Sequence, residues 1–266
     1  MITIGILYIC TGKYSIFWKA FYESSEQYFL PDAEKHYFVF TDSSEINETD
    51  KIHVYYEKPK GFPLDSLLRF DMFLGIKKEV SIYDYAFFFN SNMVFVRKVS
   101  RVDILPDGKK ERLVAVLHPG YYNKEAMAYN YERRRASTAF IPYDRKNNYH
   151  YFMGGLNGGI TEDYYRLIDG CNRNIHQDMD DNIMAIYHDE SHLNKYLYDR
   201  DDVKILPPSY GFPEDGKLPF EPYIVIQNKM KHGGKYFDKL PKAEYRKRLI
   251  FFVKRNLLAS KWRLGL

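Results

Sequence analysis

The sequence has few cysteines and no long apolar segment. Its 266 residues include only two cysteines, Cys10 and Cys171, so a disulfide framework is excluded and a reducing compartment is expected. The apolar run at the start, residues 2–9, has no basic residue before it and is soon followed by Lys13. It is too short to span a membrane and lacks the basic start of a signal peptide. We therefore predict that it is a first β-strand and that the protein is cytoplasmic.

The sequence also has little net charge, and that charge is unevenly distributed. The formal net charge is +4, but eight basic residues and one glutamate lie from Lys242 onward, which gives this segment +7 and leaves about −3 for the rest. With its apolar residues, segment 241–266 is typical of an amphipathic helix that binds an anionic membrane at its inner face. The alternative is a helix packed on the protein's own body. A basic run so short and confined to one end does not indicate nucleic-acid binding.

Aromatic residues, in contrast, are abundant. They make up 17% of the chain, with 25 tyrosines and 19 phenylalanines. Two interpretations are open. An aromatic-rich core and surface is one, and a site that stacks sugar rings is the other.

Apolar runs and helical patterns alternate through the first half of the chain. Residues 2–9, 36–42 and 51–57 are short β-branched or aromatic runs, whereas 15–29 and 67–80 carry amphipathic helical patterns. This alternation predicts an α/β fold with a mostly parallel central sheet flanked by helices. We expect one catalytic domain, 1–240, followed by the basic C-terminal helix, 241–266. Ligands of such sheets bind beyond the carboxyl ends of the strands.

Several polar or glycine-rich segments follow predicted strands. In "FFFNSNMVF" (87–95), Asn90, Ser91 and Asn92 interrupt a buried run, and "HPG" (118–120) ends another. Residues 151–160, "YFMGGLNGGI", are rich in glycine, which allows a backbone to approach a ligand closely. We predict that one helix then runs from Thr161 to about Gly170, and that a second begins near 178–181 and ends near His188.

Four separate strings then carry a resemblance to a known family. "HDESHLNKY" (188–196), "HPGYY" (118–122), "YERR" (131–134) and "GGLNGG" (154–159) stand in the order and spacing of glycosyltransferase family 6. This is the family of the ABO blood-group transferases and the α1,3-galactosyltransferases. The resemblance implies a GT-A fold, a UDP-sugar donor and a β-galactoside or fucosylated galactoside acceptor. It also implies an α1,3 linkage formed with retention at the anomeric carbon.

The resemblance also assigns the donor site. It implies that the uridine and the donor sugar are contacted by Ile9, Cys10, Thr11, Tyr14, Met153, Gly154 and Gly155. Gly155 leaves room for an acetamido group that an alanine would crowd, whereas Met153 matches the galactose-using members. Because steric exclusion is the harder constraint, we predict UDP-N-acetylgalactosamine (UDP-GalNAc) as the donor, with UDP-galactose as the alternative.

One departure from the family concerns the metal. Family members hold Mn²⁺ with Asp-x-Asp where this chain has Asn90, Ser91 and Asn92. Neutral amides are poor ligands for a hard divalent ion. Two aspartates without a metal would repel the diphosphate, by roughly 4 kcal/mol for charges about 4 Å apart. Asparagines remove that repulsion and supply N–H donors. We therefore predict metal-independent transfer with no metal cofactor; a glycan-binding protein with an inactive donor site is the alternative.

Without a metal, cationic side chains must balance the charge of the leaving diphosphate. The family pairs an arginine at the position of Arg69 with the first aspartate. Freed from that partner, Arg69 is expected to turn toward the phosphates or the sugar. The segment "NKMKHGGKYF" (228–237) resembles the family's mobile C-terminal segment and supplies Lys229, Lys231 and Lys235. A lysine beside a glycine hinge can arrive as the site closes, and Lys231 is the strongest candidate.

By the same resemblance, Glu190 is the catalytic carboxylate, as a nucleophile or as a stabiliser of an oxocarbenium-like transition state. Asp189 is expected to accept hydrogen bonds from hydroxyls of the donor sugar. The residues implied to contact the acceptor are His118, Asn130, Tyr187 and Glu190.

Two further groups resemble metal sites. The aspartates at 178, 180 and 181 are better explained as favourable charge at a helix N-terminus. His188 and His192 have metal-like spacing, but no third ligand is evident and the family uses no zinc, so we reject this site.

Overall fold

The computed structural model describes residues 1–144, 148–233, 237 and 260–262. Its centre is a seven-stranded sheet in the order β3-β2-β1-β4-β7-β6-β8. The strands are β1 (Thr3–Ile9), β2 (Glu34–Thr41), β3 (Ile52–Tyr56), β4 (Tyr85–Asn90), β6 (Leu113–Leu117), β7 (Phe152–Ile160) and β8 (Val203–Leu206). Only β7 is antiparallel to its neighbours, β4 and β6. The predicted α/β class with a mostly parallel sheet is confirmed.

The remaining elements flank this sheet. A small second sheet, in the order β5-β10-β9, is formed by β5 (Met93–Phe95), β9 (Phe212–Pro213) and β10 (Ile224–Ile226). The α-helices of the described residues are α1 (Trp18–Tyr28), α2 (Leu64–Leu67), α3 (Arg69–Gly75), α4 (Lys77–Val80), α5 (Arg101–Ile104), α6 (Thr161–Asp180), α7 (His188–Leu197) and α8 (Lys229–His232). Short 3₁₀ helices cover Gly12–Phe17, Pro119–Tyr121, Ala126–Ala128 and Pro208–Gly211. The pattern at 67–80 therefore forms three short helices, not one.

The aromatic run of β4 explains much of the phenylalanine content. Phe87 and Phe89 point into the core on one face of the sheet, where they pack with Phe29. Phe88 points into the core on the other face and contacts Phe73. All three phenylalanines of the run are buried, as expected for a strand that is covered on both sides.

The predicted break in the helix after β7 is wrong. Helix α6 continues through Gly170 as far as Asp180. A Cβ at Gly170 would lie 2.8 Å from Cε2 of Tyr196. The absence of a side chain at Gly170 therefore allows the Tyr196 ring to pack directly on the helix. Asp178 consequently lies in the last turn of α6, not at a helix N-terminus, and the next helix begins at His188.

Asp178 and His192 belong to the packing of α6 and α7. Asp178 is buried and accepts hydrogen bonds from the Ser137 hydroxyl and from the peptide N–H of Thr138. His192 is also buried, with Nε2 3.7 Å from Asp178 Oδ2. Among the residues that the structure describes, no group of three or more His, Cys, Asp or Glu could hold a metal ion.

Most of the predicted C-terminal helix, 241–266, and its boundary at 240 lie outside the described residues. Trp262 is described and buried: its indole N–H donates to the Ile141 carbonyl at 2.5 Å, and its ring centroid is 4.8 Å from that of Tyr143. This residue therefore packs on the body. The predicted membrane attachment stays untested, and no helix in the described ranges could cross a bilayer.

Candidate active site

The carboxyl ends of β1 and β4 meet at one edge of the sheet. Ile9 and Asn90 are register partners in these neighbouring parallel strands. The segment predicted to hold uridine, residues 9–14, therefore begins beside the asparagines predicted to meet the diphosphate. The Cys10 side chain is fully buried, and burial raises the pKa of its thiol to about 12. Thr11 is buried as well, whereas Tyr14 remains partly exposed in the 3₁₀ helix that follows.

The three residues after β4 have different environments. Asn90 is exposed, whereas Ser91 and Asn92 are buried. The Asn92 side-chain amide donates to the Gln227 carbonyl at 2.7 Å, and the Gln227 N–H donates to the Asn92 carbonyl at 2.7 Å. The Tyr8 hydroxyl donates to the Ser91 carbonyl at 2.8 Å. Asn92 thus fixes the chain after β10, and Asn90 presents its side chain to solvent.

Glu190 lies in the first turn of α7 and is held by Gly154 of β7 and by Tyr151, the residue just before that strand. Its Oε1 accepts from the Tyr151 hydroxyl and its Oε2 from the Gly154 N–H, each at 2.7 Å. Burial, together with the charge of Asp189, raises the pKa of Glu190 to about 7, although the two hydrogen bonds oppose the shift. The carboxylate is therefore oriented by two donors and ionises near neutral pH.

Two adjacent glycines of β7 lie between Glu190 and Asn90. A Cβ at Gly154 would be 3.4 Å from Oε2 of Glu190, and a Cβ at Gly155 would be 2.7 Å from Nδ2 of Asn90. Met153 is buried, and its side chain packs on Gly211. Its Cε would lie 2.9 Å from a Cβ added at Gly155. The glycine-rich strand thus brings the predicted catalytic carboxylate and Asn90 close to one stretch of backbone.

Arg69 and Asp189 form a buried ion pair beside this backbone. Arg69 Nη1 is 3.1 Å from Asp189 Oδ2 and donates to the Gly154 carbonyl at 2.8 Å. The guanidinium carbon lies 4.4 Å from the centroid of the Phe88 ring, and only 3% of Arg69 is exposed. Burial raises the pKa of Asp189, although the Arg69 charge opposes this. With Asn90 uncharged, Asp189 provides the partner of Arg69.

The two described lysines of the 228–237 segment have different partners, and Lys235 lies outside the described residues. Lys229 Nζ is 3.3 Å from the Tyr14 hydroxyl and 4.7 Å from the centroid of the Tyr14 ring. Lys231 forms an ion pair with Asp215, which raises the lysine pKa. In this arrangement Lys229 is next to the predicted uridine site, whereas Lys231 is held outside it.

His118, which is predicted to contact the acceptor, lies beside Tyr151. Its ring centroid is 5.7 Å from that of Tyr151, and its Nδ1 accepts from the Gly120 N–H at 3.0 Å. Burial lowers the pKa of His118 to about 4, so the ring is neutral near pH 7. Because Nδ1 is an acceptor, the proton sits on Nε2, which can donate to a hydroxyl. Asn130 is buried and Tyr187 partly buried, directly before α7.

Three residues that support the site were not singled out by the sequence. Tyr151 orients Glu190, and Asn194 binds α7 to β7. Glu132 of the "YERR" string is buried and accepts from the Ile186 N–H at 2.9 Å, so it holds the chain just before α7. Two indications of these residues were present in the sequence: Tyr151 stands directly before the glycine-rich segment, and Glu132 and Asn194 lie inside strings that match the family.

The chain is similar in sequence to known glycosyltransferases. The model of glycosyltransferase family 6 matches residues 1–227. The chain is 37% identical to the O-antigen biosynthesis glycosyltransferase WbnI of Escherichia coli over 222 residues, 81% of this chain and 92% of that protein. It is 33% identical to histo-blood group ABO system transferase 1 of Rattus norvegicus over 84% of this chain and 64% of that protein.

A globoside α-1,3-N-acetylgalactosaminyltransferase 1 of Homo sapiens is 30% identical over 85% of this chain and 65% of that enzyme. The chain thus covers nearly all of the bacterial relative and about two-thirds of these animal relatives. It therefore belongs to glycosyltransferase family 6 and is a hexosyltransferase that uses a nucleotide-sugar donor and a glycan acceptor.

Proposed function

We propose that this protein transfers N-acetylgalactosamine from UDP-GalNAc to O3 of a β-galactoside, with retention and without a metal ion. The names of two relatives support the reaction: one is a globoside α-1,3-N-acetylgalactosaminyltransferase and the other a histo-blood group ABO transferase. Gly155 supports the donor, because an added Cβ there would take space beside Asn90 and Met153. UDP-galactose is the alternative donor.

The observation that carries the proposal is the setting of Glu190. A carboxylate held by Tyr151 and Gly154, with a pKa that burial raises to about 7, is both oriented and only partly solvated. Such a group favours cationic character at the anomeric carbon, either by attacking it or by stabilising the developing charge. His118, with a proton on Nε2, is suited to position the acceptor galactose by donating to one of its hydroxyls.

The residues at the end of β4 do not fit a divalent metal. Asn90 and Asn92 offer neutral oxygens, and Asn92 is already engaged with Gln227. Within the described ranges no carboxylate or histidine cluster completes a ligand set, and a protein normally binds Mg²⁺ or Mn²⁺ at a diphosphate through one or two carboxylates. Lys229 is next to Tyr14 and balances the charge of the departing UDP from that side. Lys231 joins it when it leaves Asp215.

The experiment combines two donors, two acceptors and a chelator. Protein treated with EDTA is incubated with UDP-GalNAc or UDP-galactose and with lactose or 2′-fucosyllactose, and the product linkage is determined by NMR. We expect an α1,3-linked N-acetylgalactosamine product at an unchanged rate after chelation. Activity that disappears with EDTA and returns with Mn²⁺ would refute metal independence. Acceptor binding without UDP binding or turnover would instead identify a glycan-binding protein.

A further inference from the structure

A cavity opens at the end of α7 that is farther from Glu190. Its volume is about 290 Å³. The lining residues that matter here are Tyr131, Asn148, Tyr149, Tyr198, Asp199 and Asp201. Glu190 is in the first turn of α7 and Leu197, another lining residue, is its last residue. Seven residues of α-helix extend about 10 Å along the axis, so the cavity is separate from the catalytic carboxylate.

The walls of this cavity combine aromatic rings with polar groups. The rings of Tyr149 and Tyr198 are stacked, with centroids 5.9 Å apart. Asn148, Asp199 and Asp201 are exposed at its rim. Sugar rings have apolar C–H faces that pack on aromatic rings and hydroxyls that need amide or carboxylate partners, so this set of side chains suits a pyranose.

The charge of the cavity discriminates between ligands. The guanidinium of Arg200, a described lining residue, is paired through Nε with Asp202 Oδ1 at 2.8 Å. Neither Asp199 nor Asp201 forms an ion pair with another described residue. The described lining residues therefore carry excess negative charge, which repels phosphate and so disfavours a nucleotide or a nucleotide sugar. A neutral sugar has no such penalty.

Tyr131 connects the cavity to the active site. It lines the cavity, and its ring centroid is 5.5 Å from that of Tyr151, whose hydroxyl donates to Glu190. From these observations we propose that the cavity is a second carbohydrate site, which binds a neutral sugar residue further along the acceptor glycan. This rests on the proposed function, because it assumes that the glycan accepts a sugar at the active site.

The kinetic test compares a short and a long acceptor. KM is measured for lactose and for a pentasaccharide that ends in the same β-galactoside, in the wild type and in Tyr198→Ala and Asp201→Asn. We expect a lower KM for the pentasaccharide in the wild type. The variants should raise that KM about tenfold, equivalent to about 1.4 kcal/mol, with the lactose KM unchanged. Tyr56→Ala is the control, because this exposed tyrosine lies on β3, at the opposite edge of the sheet from β8, which lines the cavity.

A binding measurement keeps the two proposals distinguishable. The pentasaccharide without its terminal galactose cannot fill the acceptor position. Its binding is measured by saturation-transfer NMR in the presence of saturating UDP and lactose, so that the signal reports binding at the cavity alone. Binding that both variants abolish supports the second site even if no transfer occurs. The inference is overturned if this glycan does not bind, if Asp201→Asn and Tyr198→Ala leave its binding intact, or if they raise the lactose KM equally.

Discussion

The side chain of Asn194 bonds to both backbone polar groups of Phe152, as a neighbouring strand would. Its Oδ1 accepts from the Phe152 N–H and its Nδ2 donates to the Phe152 carbonyl, each at 2.8 Å. Nδ2 also donates to the Glu190 carbonyl at 2.9 Å. One buried amide therefore joins the helix that carries Glu190 to the start of the strand, beside Tyr151 and two residues before Gly154, the two hydrogen-bond donors of Glu190.

Replacing Asn194 with alanine should loosen this junction. Three hydrogen bonds disappear and buried backbone groups of Phe152 lose their partners, which costs about 2–4 kcal/mol of unfolding free energy. We also expect kcat to fall about tenfold, since small displacements of a catalytic group are costly. Urea unfolding and steady-state kinetics measure both effects. Asn47→Ala, at an exposed position, is the control; if Asn194→Ala behaved like it, the assigned junction would be wrong.

Tyr151→Phe should shift the pH dependence of activity. The Tyr151 hydrogen bond lowers the pKa of Glu190, opposing the rise to about 7 that burial causes. Without this hydrogen bond the carboxylate ionises at higher pH. We therefore expect the pH at which kcat/KM falls on the acid side of its pH profile, the acid limb, to rise by about one pH unit.

The matched control for this variant is Tyr131→Phe. The Tyr131 hydroxyl donates to the His150 carbonyl, so its loss leaves Glu190 with both donors. An acid limb that stays in place in Tyr151→Phe, or that moves equally in both variants, would argue against Tyr151 as the group that orients and tunes Glu190.

Patterns along the chain predicted the parallel strands β1 to β4 and β6, but residues 151–160 were recognised only as a glycine-rich segment and not as β7, and β8 was not predicted. The run at 85–90 is buried on both faces, which is why it was recognisable as a central strand. Helix ends were less predictable. Gly170 looked like a helix end, but the Tyr196 ring needs a residue without a side chain there, and this requirement is visible only in three dimensions.

The site was predicted largely through resemblance, and its supporting contacts were not. Sequence indicated that Arg69 would lose its aspartate partner, but it could not indicate that Asp189, 120 positions later, would supply a replacement. Tyr151 and Asn194 act through hydrogen bonds between α7 and residues 151 and 152. Such contacts depend on how α7 packs against β7 in three dimensions, and no local sequence pattern predicts that packing.

The two lysines of the 228–237 segment should have separable effects. Lys229→Ala removes the cation next to Tyr14 and should weaken binding of UDP itself. Lys231→Ala leaves Tyr14 and Lys229 in place and should lower kcat about tenfold or more, because Lys231 contributes only as the site closes. Calorimetry with UDP and steady-state kinetics distinguish these outcomes. Lys217→Ala serves as the control; unchanged UDP affinity and kcat in both variants would require another source of positive charge.

Gly155→Ala should change the preference between donors. The new methyl would lie 2.7 Å from Asn90 Nδ2 and 2.9 Å from Met153 Cε, so both side chains must move into the space around the donor sugar. We expect kcat/KM for UDP-GalNAc to fall at least about tenfold more than for UDP-galactose, the range expected for one methyl-sized change. Kinetics with the two donors measure this ratio, and an equal loss for both would place the acetamido group elsewhere.

Glu190→Gln should abolish activity and yet stabilise the fold at alkaline pH. A glutamine resembles the protonated acid: its oxygen accepts from Gly154 while its NH₂ donates to the Tyr151 oxygen. The pKa of Glu190 is raised from 4.5 to about 7 in the fold, so the wild type loses stability as pH rises through this interval. Because Glu190 is partly accessible, we expect a gain of about 1–2 kcal/mol at about pH 8 and none near about pH 4. Urea unfolding at the two pH values tests this, and a variant equally stabilised at both, or still active, would contradict a catalytic carboxylate that is only partly solvated.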